Sequence, residues 1–141
     1  MRQVTILYPI LAMFLLVSVV MVFMLRERVA EVKARRLSIR EVASSSQMTA
    51  VLHNTRAADN YRNLFEMPVF FYALCLACYA TALVAPLFVY GAWLYVALRV
   101  WHSVIHIGKN AIGLRMRVFT ASSVLLLFLW VCLVVLLVQR P

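Results

Sequence analysis

Three long runs of uncharged, mostly apolar residues divide the chain, at positions 3–25, 67–98 and 118–139. A membrane-spanning helix needs roughly 20 consecutive apolar residues, so the first and third runs each predict one span. The middle run of 32 residues is too long for a single span. Pro86 lies near its midpoint, and a proline there predicts a turn between two helices.

This pattern predicts an all-α fold, an integral membrane four-helix bundle that forms a single membrane domain over residues 1–141. Composition agrees, because 65% of the residues are hydrophobic and only 13% are charged. A soluble domain of this size would leave too many apolar side chains without a core to fill. The predicted spans are about 4–27, 58–83, 87–109 and 115–138.

Basic residues are concentrated in two of the predicted connections. Positions 26–62 carry eight of them, and Lys109, Arg115 and Arg117 surround the third connection, whereas positions 81–88 have no charge. Cytoplasmic loops of membrane proteins are enriched in Lys and Arg. We therefore expect loops one and three in the cytoplasm and both termini on the outer side. The net charge of +9 is then a topology signal, and no nucleic-acid partner is expected.

The first apolar segment leaves two further interpretations open. A signal peptide is the weaker one, because the apolar stretch is too long and lacks a clear cleavage site. Residues 27–41 alternate charged and apolar side chains at near-helical spacing. This pattern favours a charged helical stalk that continues the first span, and a lipid-recognition segment is the alternative.

Ionisable residues inside the second and third predicted spans are the main candidates for function. Each set falls at helical spacing and predicts one polar helix face: Asp59, Arg62, Asn63 and Glu66 in one, Arg99, His102 and His106 in the other. A charge facing lipid there costs about 2.5–3.5 kcal/mol, so both faces are expected to turn inward. Glu66 and Arg99 could form a structural ion pair. Alternatively, the two faces line a polar, net positive pocket for a small anionic molecule.

Pro68 adds a smaller signal in the second span. Proline has no N–H, so the carbonyl of Leu64 loses its helical hydrogen-bond partner. An ordinary kink of a membrane helix is the favoured interpretation, and a carbonyl exposed to a ligand is the alternative.

These residues resemble a known family, the membrane-associated proteins in eicosanoid and glutathione metabolism (MAPEG). The pattern is closest to microsomal prostaglandin E synthases and needs no gap from Arg62 to Arg115. The motif that carries the resemblance is Arg62-Asn63-x-x-Glu66 with Pro68 and Phe70, then Arg99-x-x-His102-Ser103, then Lys109 and Arg115.

The resemblance implies a homotrimer of four-helix bundles, with glutathione as co-substrate bound between subunits near the cytoplasmic face. Arg115 would lie near the thiol, with His106 as a possible donor. The residues expected to bind glutathione are Arg62, Asn63, Glu66, Arg99, His102 and, at the end of the first helix, Arg28 or Arg26. Four positions depart from the family pattern: Asp59 replaces an Arg, His106 a Tyr, Met116 a Ser and Met67 an aromatic residue.

Three function classes follow. The first is a glutathione-dependent transferase or peroxidase that acts on a lipophilic electrophile or a lipid hydroperoxide. The second is a non-catalytic membrane protein of the same architecture that binds a lipid or a protein partner. A small transporter ranks last, because no polar residue continues the path to the outer side. The sequence has no zinc-ligand spacing and no nucleotide-binding glycine loop.

Overall fold

The computed structural model of the chain describes residues 2–38, 44, 46 and 55–140. Within them, a short 3₁₀ helix leads into five α-helices: Gln3–Ile6 (3₁₀), α1 Leu7–Arg35, α2 Arg56–Asn63, α3 Met67–Ala80, α4 Pro86–Ile107 and α5 Ile112–Val138. These form four candidate membrane spans, and the described residues contain no strand. The first span is Gln3–Arg35, the second Arg56–Ala80, the third Pro86–Ile107 and the fourth Ile112–Val138. The predicted all-α four-helix membrane bundle is confirmed.

The first span continues well past its predicted end near residue 27. Helix α1 runs to Arg35, and Arg36 then adopts a left-handed conformation with φ of 54°. The N–H of Arg36 bonds the carbonyls of Val32 and Lys33, which satisfies the free carbonyls of the last turn. The charged stalk predicted over 27–41 is thus helical as far as Arg35, and residues 39–41 lie outside the described part of the chain.

The second span is two helices rather than one. Helix α2 ends at Asn63, residues 64–66 form a turn, and α3 begins at Met67. Pro68 sits in the first turn of α3, where its missing N–H removes no hydrogen bond. Glu66 has non-helical dihedral angles of −90° and −93°. The predicted polar face that continues from Asp59 through Glu66 is therefore wrong at Glu66, because the helix stops before it.

Side-chain hydrogen bonds at each end of the bundle fix the up-and-down order of the spans. At one end, Gln3 donates to the carbonyl of Tyr79, and Arg140 donates to the carbonyl of Thr81 at 2.7 Å. At the opposite end, Arg56 donates to the carbonyl of Gly108 at 3.1 Å. We call this second end, where the third span passes into the fourth, the 108–111 end.

The third span lies at the centre of the bundle. Its apolar window is 56% buried, against 22% for the first and fourth spans. Tyr95 stacks on Phe71 of α3 with ring centroids 4.7 Å apart, and both side chains are fully buried. Trp130 of α5 donates to the carbonyl of Phe70 at 3.2 Å, which ties the fourth span to the second. Polar residues on the third span are consequently held inside the protein.

Gly91 of the third span packs directly against Leu129 of the fourth. A Cβ atom at this position would lie 2.7 Å from Cδ2 of Leu129, closer than a real contact allows. Leu129 is fully buried and fills the space that the glycine leaves. The interface between these spans therefore depends on the absence of a side chain at Gly91.

We predict that Gly91→Ala destabilises the bundle by about 1–3 kcal/mol, because Leu129 must leave its packed position. The measurement is unfolding of the purified protein in detergent, followed by circular dichroism. Gly113→Ala is the matched control, since a Cβ there meets no atom within 4 Å, and it is expected to stay within about 1 kcal/mol of the parent. Equal stability of the two variants would contradict the packing argument.

Candidate functional site

Buried polar side chains gather at the 108–111 end, where the second, third and fourth spans meet. Helix α4 contributes most of them, and α2 and the first turn of α5 supply the rest. We call this group the polar cluster, and its members are Asn60, Arg99, His102, Ser103, His106 and Arg115. All the members from α4 were predicted as one polar face or quoted in the family motif.

Arg99 is the most deeply buried charge of the cluster, at 0% exposure. Its Nη2 donates to the backbone carbonyl of Asn63 at 2.6 Å, and its Cζ lies 5.4 Å from the centre of the Phe119 ring. A carbonyl dipole and an aromatic face both stabilise a guanidinium. The cation is therefore held by neutral groups.

The predicted ion pair between Glu66 and Arg99 is absent from the described residues. Glu66 is exposed, and Arg99 makes its hydrogen bond to Asn63 instead. The break in the second span explains both facts. In a continuous helix the N–H of residue 67 would bond the Asn63 carbonyl. Because the helix ends at Asn63, this carbonyl is free to accept from Arg99, and the turn carries Glu66 to the outside.

A second contact joins α2 to α4. It lies one helical turn of α4 closer to the 108–111 end than Arg99. Ser103 donates through Oγ to Oδ1 of Asn60 at 3.3 Å, and both residues are almost fully buried. Asn60 was missed by the sequence analysis. Its only signal is that it lies three residues before Asn63, so both amides share one face of α2.

The two histidines of the cluster lie next to each other near Arg115, with their ring planes tilted by 50°. The rings of His102 and His106 are 5.7 Å apart, and both side chains are nearly inaccessible, at 2% and 3% exposure. Neither nitrogen of His102, nor Nδ1 of His106, has a hydrogen-bond partner among the described residues. Buried polar atoms in proteins usually have a hydrogen-bond partner. These three imidazole nitrogens are therefore candidates to bond a ligand.

Arg115 sits half-buried at the head of the fourth span. Its Nη1 lies 3.1 Å from Nε2 of His106 and 2.7 Å from Oδ1 of Asn110. A guanidinium can only donate, so Nε2 of His106 must be the acceptor and its proton must sit on Nδ1. If His106 donates to a ligand, as predicted, it must do so through Nδ1 in this arrangement.

The residues predicted to bind glutathione fall into three groups by exposure. Arg99 and His102 are buried in the polar cluster, whereas Arg62 and Glu66 are exposed on the second span. The remaining two are half-buried, and they are Asn63 and Arg28. The buried members of the predicted polar pocket are thus inaccessible within one chain, whereas the exposed members lie on the surface of the second span. The alternative Arg26 is exposed.

Asp59 lies next to this site but binds elsewhere. Its Oδ2 accepts from Oγ1 of Thr55 at 2.8 Å, so the carboxylate is held at the start of α2. Among the described residues, the one ion pair within 4.0 Å joins Glu31 to Arg35 on the stalk. The guanidiniums of the cluster therefore have no carboxylate partner in that part of the chain, and the site is electropositive.

Two apolar grooves lie on the first span. One, of about 580 Å³, runs between the first and second spans, with Phe14, Tyr61 and Tyr72 in its walls. The other, of about 390 Å³, lies between the first and third spans and reaches Ser103 and Gly108. The second groove thus connects the membrane-facing surface with the edge of the polar cluster. No group of three metal-ligating side chains occurs in the residues the structure describes.

The fold and the cluster define a class, a multi-pass integral membrane protein with a buried, electropositive site at one end of a helix bundle. A family model supplies the identification, since the chain matches that of the MAPEG family over residues 6–135. The chain belongs to the MAPEG family. Members of this family generally use glutathione and are commonly oligomeric. No curated protein and no solved structure matches the chain.

We predict that Arg99→Met destabilises the protein by about 1–3 kcal/mol, because the Asn63 carbonyl loses its donor in an apolar interior. The measurement is denaturant unfolding in mixed micelles. Arg117→Met, at an exposed position of α5, is the control and is expected to change stability by less than about 0.5 kcal/mol. A variant as stable as the parent would show that the helix break does not need Arg99.

Proposed function

We propose that this protein is a glutathione-dependent transferase or peroxidase that acts on a lipophilic electrophile or a lipid hydroperoxide. The observation that carries the proposal is the position of Arg115. Its guanidinium is half-buried at the head of α5, one of its nitrogens is held by His106 and Asn110, and the described residues use none of its other N–H groups. A cation of this kind is available to a thiolate.

Arg115 would stabilise the sulfur anion of bound glutathione. A guanidinium next to a thiol lowers the thiol pKa and raises the fraction of thiolate, which is the reactive form. In the transferase reaction, the thiolate forms a carbon–sulfur bond with the electrophile. Either the bond to a leaving group such as halide breaks and the group departs with the electron pair, or a carbon–carbon π bond breaks and the resulting carbanion takes up a proton. In the peroxidase reaction, two glutathione molecules reduce one hydroperoxide to an alcohol and water, and the product of the thiols is a disulfide.

The exposed charges of the second span support a homotrimer with glutathione between its subunits. Arg62 of α2 and Glu66 of the following turn are exposed on the second span, where an unpaired charge facing lipid costs about 2.5–3.5 kcal/mol. A neighbouring subunit and a peptide ligand would remove this penalty. The guanidiniums of Arg62 and Arg28 suit the two carboxylates of glutathione, Glu66 suits its ammonium, and Asn63 suits its peptide groups.

The buried residues Arg99 and His102 would act from behind this surface. The positive charge of Arg99 makes the site more favourable for an anion, and both side chains have buried nitrogens without a hydrogen-bond partner in the described residues. Neither side chain has the solvent access that a direct contact requires. The lipophilic substrate would reach the sulfur from the bilayer. The 390 Å³ groove between the first and third spans supports this route, because its apolar walls end at Ser103 of the cluster.

The orientation follows from the basic residues at the 108–111 end. Arg56, Lys109, Arg115 and Arg117 all lie at or near this end of the bundle, and the stalk of α1 adds more basic side chains. We propose that this end faces the cytoplasm, with both termini on the outer side. Cytoplasmic glutathione would then reach the site directly.

A second candidate is a non-catalytic member that binds a lipid or a protein partner. The closed cluster favours it, because Arg99, His102 and His106 are all at most 3% exposed in the single chain. Asp59 and His106 also stand where the family pattern has an Arg and a Tyr. In this case the apolar grooves would be the binding surface, and the polar cluster would serve packing alone.

The first test is Arg115→Ala, which we expect to abolish glutathione thiolate formation while the oligomer keeps its size. Thiolate is measured by ultraviolet difference absorbance, and turnover with a chlorodinitrobenzene and with a fatty-acid hydroperoxide. We expect a loss of roughly 10²-fold or more in turnover, as for removal of a donor to a developing anion. Arg117→Ala, two residues away and exposed, should retain activity; persistent turnover in Arg115→Ala would reject the assigned role.

Calorimetry separates the two candidates. We expect titration of the purified oligomer with glutathione to release or absorb heat, and Arg62→Ala to weaken that binding, since a guanidinium–carboxylate contact is lost. Arg2→Ala, at an exposed position outside the proposed site, serves as the control. An intact oligomer that gives no heat with glutathione would favour the non-catalytic candidate.

A further inference from the structure

Asn110 occupies a special position in the short connection between the third and fourth spans. Its backbone is left-handed, with φ of 49°, and its N–H donates to the carbonyl of Ile105 at 2.8 Å. Asparagine tolerates this backbone region better than most other residues. The backbone of Asn110 is therefore anchored to the end of α4, and this fixes the position from which its side chain extends.

The side chain of Asn110 accepts a short hydrogen bond from Arg115. The distance from Oδ1 to Nη1 is 2.7 Å, against 3.1 Å from the same nitrogen to Nε2 of His106. A guanidinium Nη carries two hydrogens. Both hydrogens of Nη1 are thus used, one by each neighbour, and within the described residues Nη2 and Nε make no hydrogen bond.

We propose that Asn110 is a positioning residue for the thiol chemistry: it holds Nη1 of Arg115 against His106 and so leaves Nη2 and Nε as the donors for the reacting sulfur. This inference rests on the function proposed above. Neither the predicted polar face nor the family motif includes Asn110, because the contact depends on the left-handed turn that brings position 110 back to position 115.

Arg115 needs such support because of where it stands. It lies in the first turns of α5, and its neighbours Met116 and Arg117 are exposed at the end of the bundle. The arginine side chain is long and flexible, so water and lipid phosphate groups there compete as acceptors for its guanidinium. Two acceptors on one nitrogen restrict rotation of the guanidinium, and a fixed donor stabilises a developing anion more effectively than a mobile one.

The contact also sets the state of His106. While Nη1 of Arg115 donates to Nε2, the imidazole carries its proton on Nδ1. If Asn110 no longer held the guanidinium, Arg115 would be free to leave His106, and Nε2 could gain a proton. Asn110 therefore fixes two groups of the proposed site, although only one of them touches it.

The decisive variants are Asn110→Gly and Asn110→Asp in the full-length protein. Glycine keeps the left-handed backbone and removes the acceptor, whereas aspartate keeps both the backbone and an acceptor oxygen. Ala82→Gly is the matched control, because Ala82 is left-handed in the connection at the opposite end of the bundle. It reports what glycine alone does to a connection between spans.

One readout needs no glutathione. With nitrogen-15-labelled arginine, the Arg115 signals are assigned by their loss in Arg115→Lys, and rotation of the guanidinium is measured by exchange spectroscopy. We expect rotation to be roughly tenfold faster in Asn110→Gly, since one hydrogen bond is lost, and close to the parent rate in Asn110→Asp and Ala82→Gly. Unchanged rotation in Asn110→Gly would overturn the inference.

The second readout is turnover. We expect Asn110→Gly to lower kcat roughly ten- to a hundredfold, with little change in KM for glutathione, as a displaced catalytic group does. Ala82→Gly should leave both constants unchanged. Faster rotation with an unchanged kcat would overturn the positioning role. A parent protein without thiol-dependent turnover would reject the proposed function instead, and the rotation measurement would still decide whether Asn110 holds Arg115.

Discussion

The hydrogen bond from Arg99 to the Asn63 carbonyl is the interaction on which the site depends. A membrane interior offers no water, so every backbone group there must find a partner within the protein. The break of the second span before Met67 frees a carbonyl, and Arg99 brings a buried charge that needs an acceptor. The carbonyl gains a donor and the guanidinium gains an acceptor for one of its nitrogens, and this bond fixes the break in the second span against the middle of the third.

The bond between Arg99 and the Asn63 carbonyl also determines where the charged groups around it lie. Because the helix ends at Asn63, the charged residues on either side of the break separate: Arg99 turns into the bundle, and Glu66 turns out. The interior then holds cations and imidazoles without a bonded carboxylate in the described residues, while the outer face holds charges that need a partner. Such a division suits a ligand that binds at a surface between subunits and feels the potential of the interior.

The arrangement around Arg115 departs from the family pattern that the sequence resemblance implies. The resemblance leads one to expect a tyrosine at position 106, whereas this chain has a histidine that accepts from Arg115 and a nearby asparagine that accepts from the same nitrogen. A phenol can donate its own proton to sulfur, but an imidazole that accepts at Nε2 can donate only through Nδ1. The proposed thiol chemistry therefore relies more on the guanidinium than the family motif implies.

The sequence by itself determined the number of spans, their order and the buried face of Arg99, His102 and His106, because hydropathy and helical spacing depend only on local positions along the chain. It could not decide the partner of Arg99, since spacing assumes a continuous helix through Glu66 and the proline at position 68 admits either a kink or a break. The roles of Asn60 and Asn110 were not predicted either. Asn60 acts through a contact with a residue 43 positions away, and Asn110 through a contact with a residue 5 positions away. The packing of α2 against α4 brings Asn60 to Ser103, and the left-handed turn at position 110 brings Asn110 to Arg115.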